Sequence, residues 1–357
     1  MNTLLCDCRL ILAFDVGFEI DLERAARILG ARGSTQSVAR PRRVRIAQDT
    51  PSAALRVERR VKSIATSAGN TAARAQLTLH RFGVISFTYR LALEGSLADL
   101  RMASSQLVEI EALRQAAEIQ LQEVMLELAD AVKRPSAPQV VEDYRVYVLR
   151  GSGADVSKLE EQRELLAGVL RGELLPLAED EIQDALSESY AVRAGTAIWI
   201  DWLAAIMLGN DLEHEFDVLE LATSELTAMR FLDRQLQQVM DRSYRLDGDK
   251  YGKKLALFPF LRDELEALGT VGADLALLRE VADNPLKLMG DPSLARLHDA
   301  AARRFRFDAR DQAASRKLDA VREVFHLLDH RREVRRSEVL EWIIILLIAV
   351  DIVFLVI

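Results

Sequence analysis

The run Leu340-Glu341-Trp342-Ile343-Ile344-Ile345-Leu346-Leu347-Ile348-Ala349-Val350-Asp351-Ile352-Val353-Phe354-Leu355-Val356-Ile357 governs how the whole chain is read. As a helix its 18 residues extend about 27 Å at 1.5 Å per residue, slightly less than a hydrocarbon core of ~30 Å. Arg331, Arg332, Arg335 and Arg336 stand just before it, and such a basic flank favours the cytoplasmic side. Trp342 sits where an interfacial aromatic belongs. The run therefore predicts a C-terminal transmembrane helix over 338–357, a tail anchor whose preceding chain stays in the cytoplasm. Asp351 is its one buried-position acid, and a carboxylate there costs roughly 2.5–3.5 kcal/mol at mid-helix. It either snorkels to the headgroups or is shared between copies of the helix; a proton path would need several copies.

Outward from the anchor, the preceding third is patterned for helices. Phe216, Leu219, Leu226, Met229, Leu236 and Met240 recur on one face, and Leu318, Val321, Phe325 and Leu328 form another stripe. Gly248 and Gly252 mark a turn, and Pro285 and Pro292 bound later helices. These spacings predict a coiled-coil-like antiparallel bundle over 211–335. Before it, residues 151–210 read as a helix-strand extension of an α+β domain over 1–150. Leu10, Leu12, Phe14, Val16 and Phe18 alternate as a strand, and Asp21 caps a short helix. Runs at 76–80 and 84–92, a helical stretch to about Val132 and a strand over 140–149 complete the order β-α-β-β-α-β, which permits a ferredoxin-like unit. The segment 30–75 has no clean period and reads as a flexible insertion. The expected fold class is thus α+β, with a mixed N-terminal domain, a long-helix bundle and one span.

Composition limits function. The chain has 357 residues, 50% of them hydrophobic, with a formal net charge of −8. A disordered chain and a polytopic transporter are excluded. From Arg27 to Lys62 ten basic residues face two acids, Asp49 and Glu58, so one local segment could touch phosphate although the chain as a whole is acidic. That window holds no aromatic residue for stacking on bases. The start of the chain, broken by Asp7 and Arg9, does not read as a signal peptide, so the mature chain is expected to begin near Met1.

Motifs for chemistry are few. Gly151-Ser152-Gly153 lacks the rest of a phosphate loop, and no Gly-x-Ser-x-Gly elbow occurs. Cys6 and Cys8 share one face of a strand without further thiols, and the five histidines show no HExxH spacing, although His326 and His330 are four apart on a helix. Asp247-Gly248-Asp249-Lys250 begins like a calcium loop but lacks the later ligands. Asp201 lies between Ile198, Trp199, Ile200, Trp202 and Leu203; an acid in such a run either has a raised pKa and a functional role, points outward from a strand, or is tied to an arginine. Neither cofactor nor metal is expected.

Several elements resemble a known family. Asp283-Asn284-Pro285-Leu286-Lys287-Leu288-Met289-Gly290-Asp291, Leu294-Ala295-Arg296-Leu297, Arg304-Phe305, Lys317-Leu318, Arg335-Arg336 and the run from Leu340 to Ile348 resemble the required-for-meiotic-nuclear-division protein 1 family, a domain-of-unknown-function family, in its bacterial branch. Asp351 fills the family's acid after the apolar run, and Ile200-Asp201-Trp202 with Ala204-Ala205 looks like a recurring bacterial element. The resemblance implies a membrane location and large assemblies, since eukaryotic relatives are mitochondrial inner-membrane proteins that support translation. It carries over no catalytic residue.

The function expected from all this is non-enzymatic: a tail-anchored, single-pass inner-membrane protein, mostly cytoplasmic, that forms a homo-oligomer and scaffolds an unidentified cytoplasmic protein partner, with the lipid bilayer as its first contact. Asp351 and Asp201 are the acids singled out. The alternatives are an enzyme or ligand-binding protein at the membrane with its site in the α+β domain, and a ribosome or RNA tether acting through residues 27–62.

Overall fold

A computed structural model describes residues 3–30, 35–37, 54–108, 111–150, 155–193, 195–247 and 291–323. The chain divides into two compact units, Met1–Phe231 with Leu277–Asp308, and Leu232–Ala276 with Ala309–Ile357.

The first unit is built on β1 (Leu4–Asp15), LLCDCRLILAFD, whose apolar residues occur at both parities and are buried on both sides. A strand apolar on both faces belongs in the middle of a covered sheet. β1 pairs antiparallel with β8 (Val84–Gly95) on one side and β10 (Val141–Arg150) on the other. The nine-stranded sheet runs β11-β12-β13-β10-β1-β8-β7-β4-β3. Its outer strands are β3 (Thr35–Ser37), β4 (Ala54–Arg60) and β7 (Arg74–His80) beyond β8, and β11 (Ser189–Tyr190), β12 (Ala197–Ile200) and β13 (Ala204–Leu208) beyond β10. Within it β13 lies parallel to β10, and all other pairings are antiparallel. Two small ladders, β2 (Glu19–Ile20) with β9 (Val132–Lys133) and β5 (Ala65–Thr66) with β6 (Gly69–Asn70), lie outside it. The β7–β8 turn needs Gly83, with φ +79°, because a Cβ there would stand 2.0 Å from the Gly17 carbonyl oxygen.

Each face of the sheet has its own helical cover. Leu10, Leu12, Leu77, Phe87 and Tyr147 face α1 (Leu22–Gly30), α2 (Leu97–Gln106), α3 (Glu111–Glu127) and α5 (Arg163–Arg171) in the larger core. Ser96 opens α2 through a capping box with Asp99. The short helices α4 (Val156–Glu160) and α6 (Glu179–Ala185) flank α5. On the other face Ile11, Val146, Val148, Ile198 and Met207 pack against α7 (Glu213–Asp247) and α8 (Pro292–Arg304) through Phe216, Leu219, Leu297 and Phe305. In the second unit the end of α7 and the helical residues 309–323 are joined by Lys317 Nζ to Asp233 Oδ1 at 2.6 Å.

Several expectations are corrected. The four strands of the expected ferredoxin-like unit are only the middle of the nine-stranded sheet. β4 draws residues 54–60 of the supposed insertion into that sheet, because Leu55 and Val57 alternate inward against Leu77 and Leu79. The strand part of the expected helix-strand extension over 151–210 is a hairpin, β12 with β13, turning at Asp201, whose amide donates to Ala204 O at 2.9 Å. The stripe Phe216, Leu219 and Leu226 does not face other helices in a coiled-coil-like bundle but lies on the sheet. The helical stretch to Val132 breaks into α2 and α3.

The membrane reading is also corrected. Among the described residues no helix is long and apolar enough to cross a membrane. α7 is 35 residues long but carries Glu213, Glu215, Asp217, Glu220 and Glu225 in its first turns, charges too costly for hydrocarbon. The anchor assigned to 340–357, with Asp351, Arg331, Arg332, Arg335 and Arg336, lies outside the described residues. The transmembrane fold class, the tail-anchored scaffold and the single-pass inner-membrane location are therefore withdrawn.

Candidate functional site

Asp201, the acid singled out in the sequence, is fully buried at the β12–β13 turn. Arg304 Nε donates to its Oδ1 at 2.9 Å, and Arg304 Nη2 also contacts that oxygen. Arg171 Nε lies 2.5 Å from Oδ2, an ion pair without hydrogen-bond alignment. Both arginines also hold Asp184, whose carboxyl is drawn down to about 2, chiefly by the hydrogen bond from Arg304. Trp202 lies beneath the guanidinium groups of Arg304 and Arg306, each 5.3 Å from its ring centre. Tyr144 OH donates to the Asp201 carbonyl at 3.0 Å. The cluster ties the hairpin to α5, α6 and α8, and Asp201 sits buried between two cations.

A second buried polar group lies on the α7 side of the sheet. The alternation that turns Leu77 and Leu79 to one core turns Gln76, Thr78 and His80 to the other face. Thr78, Ser86 and Thr88 each donate to Glu220 Oε1 at 3.0 Å, while Arg56 and Gln76 donate to Oε2 at 2.9 and 3.3 Å. Burial by itself would raise this carboxyl, but Arg56 and the other donors hold it below the ordinary range. Asp217, 2.6 Å from Arg56, is raised by burial. His80 Nε2 is 3.0 Å from Ser224 Oγ, and burial holds the imidazole neutral down to about 4. Ser224 Oγ donates to the Glu220 carbonyl at 2.9 Å, so its proton is committed within the helix and His80 acts as donor to it. The pair resembles a nucleophile and base only in residue type.

The third arrangement has an unmet need. Arg145, on β10, is 2% exposed on the same face as Tyr147 and Leu149. Its Nε donates to Leu203 O at 3.3 Å, but Nη1 and Nη2 have no hydrogen-bond partner among the described residues. Buried guanidinium groups are ordinarily paired, because an unmatched ion in low dielectric is costly. Arg145 lines a cavity of about 360 Å³ where β10 and β1 meet the α2–α3 connection. Its walls include Leu10, Leu12, Leu107, Val108, Leu113 and Val141, with Glu111, Arg114 and Asp143 as further charged groups. Sequence reading missed Arg145. The available signal was one arginine in YRVYVL, a strand apolar at both parities.

Other expectations fall as follows. Arg56 and Arg59 of the basic stretch are taken up by Asp217, Glu220 and Glu127. Arg32, Arg40, Arg42, Arg43 and Arg45 lie outside the described residues, as do His326, His330, Gly151-Ser152-Gly153 and all but Asp247 of the calcium-like loop. Cys6 and Cys8 are buried, and burial pushes both thiols up. Among the described residues no group of three or more His, Cys, Asp or Glu could hold a metal ion.

Comparison with known proteins gives two matches. The family model described as "Uncharacterized protein MJ0711, N-terminal domain" matches residues 6–215, more than half of the chain. The chain is also similar to Uncharacterized protein MJ0711 of Methanocaldococcus jannaschii, 23% identical over 248 residues that cover 66% of this chain and 73% of that protein. No solved structure matches. These matches do not confirm the meiotic-nuclear-division family, and residues 283–290 and 340–348, quoted for it, lie outside the described residues.

Proposed function

We propose that this chain, which belongs to the family of the MJ0711 N-terminal domain, uses its first unit to bind an anionic small molecule, with Arg145 as the counter-charge. The observation that carries this is a buried guanidinium whose two terminal nitrogens lack hydrogen-bond partners among the described residues while the side chain lines a cavity. Among the described residues the other strongly buried arginines of the unit each have a partner at a terminal nitrogen: Arg9 has Glu213, Arg101 has the Leu175 carbonyl, and Arg304 has Asp184. A bound anion would complete at Arg145 what the chain completes by itself elsewhere.

The role is binding without catalysis. The Ser224 hydroxyl donates its hydrogen bond to the Glu220 carbonyl of its own helix, both thiols are pushed up by burial, and Asp201 is locked between two arginines. An RNA tether through residues 27–62 is less favoured, because Arg56 and Arg59 already have carboxylate partners. The finer kinship with the meiotic-nuclear-division family is proposed on the C-terminal residues quoted above and adds no site residue.

The test is thermal melting of the full chain against a panel of small anions and their neutral analogues. At a hundredfold excess over Kd a ligand adds about 2.7 kcal/mol to the folded state. Binding should raise the melting temperature of wild type and not of Arg145→Met. No response to any anion would refute the proposal.

A further inference from the structure

Resting on that reading, we infer that the ligand is an amphiphilic monocarboxylate: its carboxylate reaches the Arg145 guanidinium, and its hydrocarbon body lies along the aliphatic wall. Charge counting sets the first half. The cavity offers one unmatched cation. Arg114 is engaged with Glu118 at 3.2 Å, and Glu111 and Asp143 also line the space. Glu111 and Asp143 repel any anion, and they repel a dianion such as a phosphate monoester about twice as strongly as a monoanion, with the same single guanidinium to offset it. A monoanion balances the one charge that is unmatched, and a planar carboxylate fits the guanidinium fork.

The lining sets the other half. Among the described residues no serine, threonine, asparagine, glutamine or histidine lines the cavity. The Tyr144 hydroxyl is already committed to the Asp201 carbonyl. Hydroxyls of a sugar or nucleoside could pair with Glu111 or Asp143, but those laid along the aliphatic wall would go unpaired, at a cost. An alkyl or alicyclic body gains from the same wall. At about 360 Å³ the space is at the small end of ligand cavities, which suits a short or medium chain.

Access is governed by Val108. It belongs to the α2–α3 connection, is 38% exposed and lines the cavity. A Cβ on Gly172 would lie 2.4 Å from Val108 Cγ2 and 3.6 Å from Arg145 Nη1, so this valine and the guanidinium crowd the same glycine. The two Nη atoms are closed to water as the structure stands. The carboxylate therefore reaches them when the Val108 side chain turns aside, and a smaller residue should ease its entry.

The experiment is titration of the full chain with octanoate, octanol, octyl phosphate and inorganic phosphate, by calorimetry and thermal melting, with association rates from stopped-flow fluorescence, on wild type, Arg145→Met and Val108→Ala. The expected result is octanoate binding at least tenfold tighter than octanol and octyl phosphate. That preference should vanish in Arg145→Met, and octanoate should associate several-fold faster with Val108→Ala. Tighter binding of octyl phosphate or inorganic phosphate would overturn the carboxylate assignment and leave the anion site standing. Equal binding of octanoate and octanol, or unchanged octanoate binding in Arg145→Met, would overturn the carboxylate–Arg145 contact. No binding of any of the four would overturn both the inference and the anion site on which it rests.

Discussion

Replacing Arg145 by methionine should stabilise the empty protein, the opposite of what removing a buried arginine ordinarily does. Two terms decide the sign. The substitution removes a buried guanidinium whose Nη1 and Nη2 are unpaired among the described residues. Burying unsatisfied donors costs about 1–3 kcal/mol, more when the group is charged. Against this stands the loss of the 3.3 Å bond from Nε to Leu203 O, worth about 1 kcal/mol or less; that carbonyl keeps its bond from the Arg145 amide. Methionine fills nearly the same space flexibly. The balance is a gain of about 1–2 kcal/mol, seen as an increase of roughly half a molar in the urea midpoint if the slope is near 3 kcal/mol/M. The same change at Arg304 supplies the contrast. Arg304 bonds Asp201 and Asp184, so Arg304→Met leaves a fully buried carboxylate with Arg171 alone and should cost about 3–5 kcal/mol. Urea titrations of wild type and both variants, followed by circular dichroism, give the two shifts side by side. If Arg145→Met destabilises as Arg304→Met does, the Arg145 guanidinium has a partner in the folded chain, and the reasoning for an anion site fails.

Three further outcomes follow from the polar clusters. Glu220→Leu should cost about 3–5 kcal/mol in the same titration, because it strands the Thr78, Ser86 and Thr88 hydroxyls and leaves Arg56 with Asp217 alone; a loss below 1 kcal/mol would show the network to be loosely formed. His298 Nε2 is 2.7 Å from Glu225 Oε2, and although burial opposes its charge, Glu225 raises its pKa above 6.5, so the pair's contribution is fully present below 6.5 and is lost as pH rises through that raised value. His298→Gln should therefore differ from wild type most in acid and least in base, and a difference that does not change with pH would disprove the ion pair. His80 acts in the opposite sense: with its pKa lowered by burial to about 4, its contribution holds above 6.5 and declines as pH falls toward 4, so His80→Gln should flatten the acid side of the stability profile. Finally, Cys6 and Cys8, buried and with raised pKa values, should react with a thiol reagent in the native chain far more slowly than in urea; equal rates would mean that the β1 core opens readily.

How much could be read beforehand depends on whether a signal was local. Strands β1, β7, β8 and β10 were legible because period-two runs such as Leu10, Leu12 and Phe14 need no knowledge of their neighbours. The helix after Asn210 was legible from its 3.6-residue stripe for the same reason. What that stripe faces was not legible. Phe216, Leu219 and Leu226 would look alike in a coiled coil or on a sheet, and only the sheet's second apolar face, with Ile11, Val146 and Met207, decides between them. Strand β4 was hidden because Arg56, Glu58 and Arg60 alternate with only two apolar residues, and its pairing with β7 supplies the rest of its burial.

The functional candidates divide in the same way. The sequence alone determined that Asp201 stands in an apolar run, where it could be functional, turned outward or paired; the chain's return through Arg171 and Arg304 buried and paired it. A carboxylate's local surroundings cannot reveal a cation 103 residues away. Glu220 looked like one more acid on a helix until the hydroxyls of β7 and β8 closed around it. Arg145 is the converse case: its strand told that it must be buried, and only the packing of the α2–α3 connection and α5 around β10 left its guanidinium without an anion. Periodicity specifies which face a residue takes, because backbone geometry sets it within a few residues; whether a charge on that face finds its complement is settled by segments that meet only when the chain has folded.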